Sequence, residues 1–227
     1  MDTAVVTGAS RGIGRAVAEA FAERGVDVVA CARDGNALEE IGDPGASVTT
    51  VRADVRDEFD VERLMETAAK AGESGGIDCV VANAGVYHGS PGATAIEDAS
   101  YSAFDDTLRT NVRGVFATVR EAIPHLTPEA RVLVPSGRIA RDAMAGYGAY
   151  AVSKAGAEAV VRQFAVESEW PIGIVDPGQV ETELTGYAKG RAPEDVAPMF
   201  WWAATGADPE TLDGNVVGLR EWKSATR

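Results

Sequence analysis

Tyr150-Ala-Val-Ser-Lys154 sets a phenol and an amine four residues apart in a tract that continues through Ala155, Ala157, Val160, Val161 and Phe164. The apolar spacing predicts a helix, and positions i and i+4 share one helix face. An ammonium beside a phenol favours phenolate, lowering a pKa that is about 10 when unperturbed. Such a phenol can give a proton to a carbonyl oxygen or take one from an alcohol. Ser136, at the end of the strand expected over Arg131–Val134, could hydrogen-bond the same oxygen. Tyr147 competes as the phenol, but residue 151 is Ala, so it lacks an amine one turn on. By itself the pair is a short pattern that chance also produces.

A second stretch has glycine spacing suited to a phosphate. Thr7-Gly-Ala-Ser-Arg-Gly-Ile-Gly14 follows the apolar run Ala4-Val5-Val6 and opens into an Ala-rich tract, Arg15–Arg24, with helical spacing. A strand, a glycine turn and a helix in that order aim free backbone N–H groups, and the positive end of the helix dipole, at whatever lies above the strand. Gly8 would permit the tight turn, Gly12 a close approach to a pyrophosphate, and Gly14 close helix-to-strand packing. The alternative is an ordinary strand-to-helix connection that happens to be glycine-rich.

The elements that must position these groups follow in alternation. Val26–Ala32 reads as a second strand with Arg33 at its end, where arginine matches a ribose 2′-phosphate in charge and shape. Arg11 would add a second cation there; otherwise both are solvated surface arginines. Val48–Ala53 is a third strand, and Asp54 either accepts from an adenine amino group or caps a helix from about Glu58 to Ala71. Ile77–Ala82 is a fourth strand, ending in the turn Asn83-Ala-Gly85, where backbone can lie against a flat ligand. Apolar residues from Tyr101 to Ile123 predict one helix with Asn111 inside it, either facing solvent or held there for a reason. Pro171–Val175 is a sixth strand, followed by a Pro177-Gly178 loop that can hold backbone against a ring, and Thr182 can reach an amide or phosphate. Gly186–Arg191 suits a lid, the helix Pro193–Ala204 carries Phe200, Trp201 and Trp202 as core or interface, and Asn215–Gly218 is a last strand. Tyr87, Met144, Tyr147, Gln179, Leu184 and Tyr187 are candidate pocket residues.

With 227 residues, 45% hydrophobic and 25% charged, the chain suits one α/β domain spanning 1–227. A formal charge of −14 argues against nucleic acid or an anionic membrane surface as partner. Lysine is confined to four positions, and an acidic, lysine-poor surface fits either a halophilic source or simple acidic composition. No apolar run approaches bilayer length and the start lacks a signal pattern, so a cytoplasmic protein is expected. Cys31 and Cys79 fall in the second and fourth strands, about 10 Å apart if the first lies between them. That is too far for a disulfide, and both are expected to be buried thiols.

Together, Thr7–Gly14, Asp54-Val55, Asn83–Gly85, Asn111, Ser136, Tyr150–Lys154 and Pro177-Gly178 with Thr182 resemble the short-chain dehydrogenase/reductase family over nearly the whole chain. The resemblance implies a doubly wound Rossmann fold, a seven-stranded, mostly parallel sheet with helices on both faces. It implies an oxidoreductase interconverting a carbonyl and an alcohol, with NADP(H) preferred over NAD(H) because Arg33 matches the position that marks that preference. Tyr150 would be the acid/base, Lys154 would lower its pKa and hold the nicotinamide ribose, Ser136 would polarise the substrate oxygen, and Asn111 would anchor a water in a proton relay. Cofactor contacts would come from Thr7, Gly8, Ser10, Arg11, Gly12, Ile13 and Gly14, and from Arg33, Asp54, Val55, Asn83, Ala84 and Gly85. Pro177, Gly178, Val180 and Thr182 would hold the carboxamide end. The partners implied are a small-molecule carbonyl or alcohol and a second copy of the chain, as a homo-oligomer (dimer or tetramer), with no metal. Three departures stand out. Pro135 replaces a common serine, Ser136 lies one residue further from Tyr150 than usual, and the Leu212–Trp222 ending lacks the usual Gly-Gly. The chain is also short around its substrate loop, which implies an open pocket. The competing readings are a catalytically silent NADP(H)-binding or sensing protein of the same fold, and a methyltransferase-type Rossmann enzyme, for which the Tyr–Lys helix has no use.

Overall fold

The computed structural model describes residues 1–38, 41, 47–73 and 75–226. In chain order they form β1 (Thr3–Thr7), α1 (Gly12–Ala22), β2 (Asp27–Ala32), β3 (Val48–Arg52), α2 (Glu58–Ala68), β4 (Ile77–Val81), α3 (Tyr101–Leu108) and α4 (Gly114–Ala122). There follow β5 (Leu126–Pro135), α5 (Gly148–Glu167), β6 (Ile172–Asp176), α6 (Pro193–Thr205), α7 (Pro209–Leu212), β7 (Val216–Gly218) and α8 (Leu219–Ala225). The seven strands lie in the order β3-β2-β1-β4-β5-β6-β7. All pairings are parallel, so the sheet expected to be mostly parallel is parallel throughout. A parallel sheet is covered on both faces, which is why β1 is buried along its length and consists of Thr, Ala and Val.

Two apolar layers sandwich the sheet. On one face α1 and α6 pack together, with Phe21 and Phe200 fully buried and the Phe21 and Trp201 rings edge-on at 5.5 Å. Phe200 is therefore core, and Trp201 and Trp202 pack partly buried against that core. On the other face lie α2, α4 and α5. Cys31 and Cys79 belong to opposite layers, and burial pushes both thiols up to about 12. Among the described residues no helix is long and apolar enough to cross a membrane.

Two local departures from expectation bear on the site. The Tyr101–Ile123 stretch is not one α-helix: Arg109–Arg113 form a π-helical turn between α3 and α4. The wider turn carries Asn111 inward, where it is 2% exposed instead of facing solvent. The α2 helix ends at Ala68, and its cap is Asp57, whose side chain accepts from the Phe59 N–H, rather than Asp54. Because β4 lies on the far side of β1 from β2, the chain reverses its winding between β1 and β4. A crevice opens there beyond the carboxyl ends of the strands, the usual ligand position in such sheets.

Candidate active site

The glycine loop is held against the turn after β4 by hydrogen bonds that only glycines leave room for. Asn83 Nδ2 donates to the carbonyls of Thr7 at 2.9 Å and Gly8 at 3.1 Å, and the Ala84 N–H donates to Thr7 Oγ1 at 3.1 Å. Gly8 has φ +65°, and a Cβ there would stand 2.7 Å from Ala84 Cα. A Cβ on Gly14 would stand 2.4 Å from both Asn83 Nδ2 and the Gly8 carbonyl oxygen. Gly14 thus makes room for Asn83, a more particular need than helix packing. The first turn of α1 has no side-chain cap, because Arg11 at the N-cap makes no capping bond, and its N–H groups are left for a ligand or water.

Above the loop lies a cavity of about 1130 Å³. Most of the residues singled out from sequence line it: Gly8, Ser10, Arg11, Gly12, Ile13, Arg33, Asp54, Val55, Asn83, Ala84, Gly85, Ser136, Tyr150, Lys154, Pro177, Gly178, Val180 and Thr182. Thr7, Gly14 and Asn111 do not; they stand behind the lining and brace it. At one end Arg33 is joined by Arg52, whose Nε donates to the Arg33 carbonyl at 3.1 Å. Sequence reading passed over Arg52, although its place at the end of β3 could have flagged it once Ala32 and Arg52 were put in register. Arg11 does not join this pair: its guanidinium pairs with Glu183 at 2.9 Å. Desolvation pulls the Asp54 carboxyl up, but hydrogen bonds from the Arg56 side chain and amide outweigh it and hold the group below the usual carboxylate range.

The loop after β6 is more tied down than a lid would be. The Arg191 N–H donates to the Gln179 carbonyl at 3.0 Å and the Glu181 N–H to the Arg191 carbonyl at 2.8 Å, so the far end of Gly186–Arg191 is pinned beside Val180. The Thr182 hydroxyl accepts from the Thr185 N–H at 3.3 Å and is engaged in capping residues 183–185. Tyr187, proposed as a pocket residue, is 66% exposed and stands outside the lining, whereas Tyr87, Met144, Tyr147, Gln179 and Leu184 line it.

At the other end of the cavity, α5 presents Tyr150 and Lys154. Lys154 Nζ lies 5.7 Å from the centre of the Tyr150 ring and donates to the Pro135 carbonyl at 3.0 Å. The Tyr87 ring stacks on Tyr150 at 4.7 Å. The expected lowering of the phenol is reversed in this environment: desolvation, and then the neighbouring Tyr87, push Tyr150 up. Desolvation also brings Lys154 down to about 8, against the opposing charge of Glu158. Ser136 and Asn111 both have buried side-chain partners of their own. The Ser136 hydroxyl donates to the buried Glu158 at 2.7 Å. Asn111 accepts from the Val86 N–H at 2.8 Å and donates to the Val86 carbonyl and Ser153 Oγ, both at 2.9 Å, so its side chain braces the turn after β4 against α5.

Comparison with known proteins agrees with this architecture. The family model described as short chain dehydrogenase matches residues 2–191. The chain is 30% identical to the chloroplastic NADPH-dependent aldehyde reductase 2 of Arabidopsis thaliana, over 94% of this chain and 90% of that one. It is 35% identical to the 2-(R)-hydroxypropyl-CoM dehydrogenase of Xanthobacter autotrophicus, over 80% and 76%. An alcohol dehydrogenase from the archaeon Thermococcus sibiricus, solved with 5-hydroxy-NADP, superposes with a TM-score of 0.83 at 27% identity and 96% coverage of both chains. A Rossmann sheet, a glycine loop at its switch point and a Tyr–Lys helix beside it, matched by that model over most of the length, mean that this chain belongs to the short-chain dehydrogenase/reductase family of nicotinamide-dependent oxidoreductases.

Proposed function

We propose that the protein interconverts a carbonyl and an alcohol with NADP(H), and that Tyr150 is the proton donor and acceptor. The observation that carries this reading is the order of chemistry along one cavity. Two arginines stand at one end, uncapped helix N–H groups lie in the middle, and a phenol beside an amine stands at the other end. That is the order of ribose phosphate, pyrophosphate and nicotinamide ribose along the dinucleotide, so the donor set fits the group. Arg33 and Arg52 would hold the 2′-phosphate, the first turn of α1 the pyrophosphate, and Lys154 the nicotinamide ribose. When bound, NADP(H) supplies or takes up the hydride.

The chain's own part is placement and proton transfer. Tyr150, raised by desolvation, stays protonated at neutral pH and so holds the proton that a carbonyl oxygen takes up in reduction. Lys154 keeps a positive charge near that oxygen below about pH 8. The preference for NADP(H) is supported by the Arg33–Arg52 pair, by the NADPH in the name of the Arabidopsis relative, and by the 5-hydroxy-NADP of the Thermococcus structure. Exposed Phe116 and Val152 on α4 and α5 offer apolar surface for the homo-oligomer expected from sequence, which light scattering reads directly.

Tyr150→Phe is the test. It should bind NADPH as tightly as the parent while kcat in an aldehyde and ketone screen falls on the order of 10²–10⁴-fold, the usual worth of a positioned acid. Turnover within a few-fold of the parent would assign the proton to another group. A parent protein that binds NADPH but turns nothing over would instead be a silent nucleotide-binding member of the fold.

A further inference from the structure

Ser136 and Gly137 bear on which carbonyls this cavity can reduce. Ser136 is buried, and its hydroxyl donates to Glu158 Oε1 at 2.7 Å. Glu158 stands one turn beyond Lys154 on α5 and is itself buried. Arg141 at 3.2 Å and Arg162 at 3.7 Å fix its carboxylate from other directions. A hydroxyl carries one proton, so Ser136 in this arrangement has none left for a substrate oxygen.

Two further polar side chains near Tyr150, those of Tyr87 and Asn111, are committed in the same way. The Tyr87 hydroxyl faces the carbonyls of Ser90 at 3.2 Å and Gly146 at 3.1 Å. The Asn111 amide hydrogens go to the Val86 carbonyl and Ser153 Oγ, both at 2.9 Å. The cavity-lining residue next to Ser136 is Gly137, which has extended backbone open to any residue and nothing within 4 Å of where a Cβ would stand.

We propose that Tyr150 serves the substrate oxygen without a serine partner, and that this biases the site toward carbonyls that are electrophilic in themselves, aldehydes and vicinal dicarbonyls, over isolated ketones. The inference rests on the reductase reading above. In the step concerned, the carbonyl carbon gains a hydride as the π electron pair moves onto oxygen, which takes the phenolic proton of Tyr150. The carbonyl is reduced by two electrons and the nicotinamide of NADPH is oxidised by two. One hydrogen-bond donor to the developing oxyanion is worth roughly 10²–10³ in kcat. An aldehyde, or a carbonyl beside a second one, builds up less charge demand on that oxygen and forfeits less when the donor is missing.

The test uses the full chain with NADPH and two matched pairs, diacetyl against butanone and benzaldehyde against acetophenone. The variants are Gly137→Ser, Gly137→Ala, Ser136→Ala and Tyr147→Phe, with NADPH affinity followed by fluorescence and folding by thermal melts. Gly137→Ser should raise kcat/KM for butanone and acetophenone by at least about tenfold, a fraction of a full donor's worth, and raise the activated partners less. Gly137→Ala, which adds the Cβ without the hydroxyl, should not. Ser136→Ala should keep each pair's ratio, lower the melting temperature because Glu158 loses a donor, and reduce kcat less than about tenfold. A loss beyond about a hundredfold in Ser136→Ala with NADPH affinity and melting temperature unchanged would overturn the proposal, because Ser136 would then be the donor. Collapse of ketone turnover alone in Tyr147→Phe would overturn it too, by naming another donor. Ratios unmoved by Gly137→Ser defeat the substrate assignment only; NADPH binding with no turnover of any of the four defeats the reductase reading as well.

Discussion

Lys154 is held in the fold at an energetic cost, and removing it should strengthen the protein as it disables it. Desolvation lowers the Lys154 ammonium from an ordinary 10.5 to about 8, with Glu158 only partly opposing the shift. At 1.36 kcal/mol per unit, the charged amine costs the folded state roughly 3 kcal/mol relative to the unfolded chain. Lys154→Met keeps the aliphatic stem but forfeits the hydrogen bond to the Pro135 carbonyl, worth about 1–1.5 kcal/mol. The net expectation at pH 7 is a gain of roughly 1–2 kcal/mol in urea unfolding. The sign with pH follows from proton counts. Below pH 8 both states of the parent carry the proton and the full penalty applies. Between pH 8 and 10.5 the unfolded chain holds the proton longer, so parental stability rises with pH through that window. The advantage of Lys154→Met should therefore shrink above pH 8 and disappear by about pH 10.5, while its NADPH-dependent turnover is lost throughout. A methionine variant less stable than the parent at pH 7, or an advantage that does not change with pH, would refute the reasoning.

Other perturbations probe the remaining parts of the cavity. Gly14→Ala drives a methyl into Asn83 and should cost roughly 2–4 kcal/mol through overpacking and two broken hydrogen bonds, read by urea titration; a cost under 1 kcal/mol would mean Asn83 does not brace the loop. Arg33→Asp should lower kcat/KM for NADPH by about tenfold to a hundredfold and favour NADH, the worth of a charge-assisted contact, and unchanged selectivity would leave Arg52 as the reader. With a formal charge of −14, the folded chain should gain melting temperature with added KCl as self-repulsion is screened; indifference to salt from low to molar concentration would remove the halophilic reading.

What the sequence determined by itself was whatever a few neighbouring residues decide. The glycine loop, its flanking strand and helix, and the sharing of one face by Tyr150 and Lys154 depend on backbone periodicity, which needs no distant partner. The tertiary structure alone decided where polar hydrogens go and how much water each group loses. Ser136 meets Glu158 across 22 residues and Arg11 meets Glu183 across 172, contacts that no local spacing signals. Arg52 reaches Arg33 because β3 and β2 lie in register, and Asn111 turns inward because the helix widens into a π turn at that point. The phenol of Tyr150 rises instead of falling because burial in the fold removes its water, a many-body effect, and the neighbouring Tyr87 adds to the shift electrostatically.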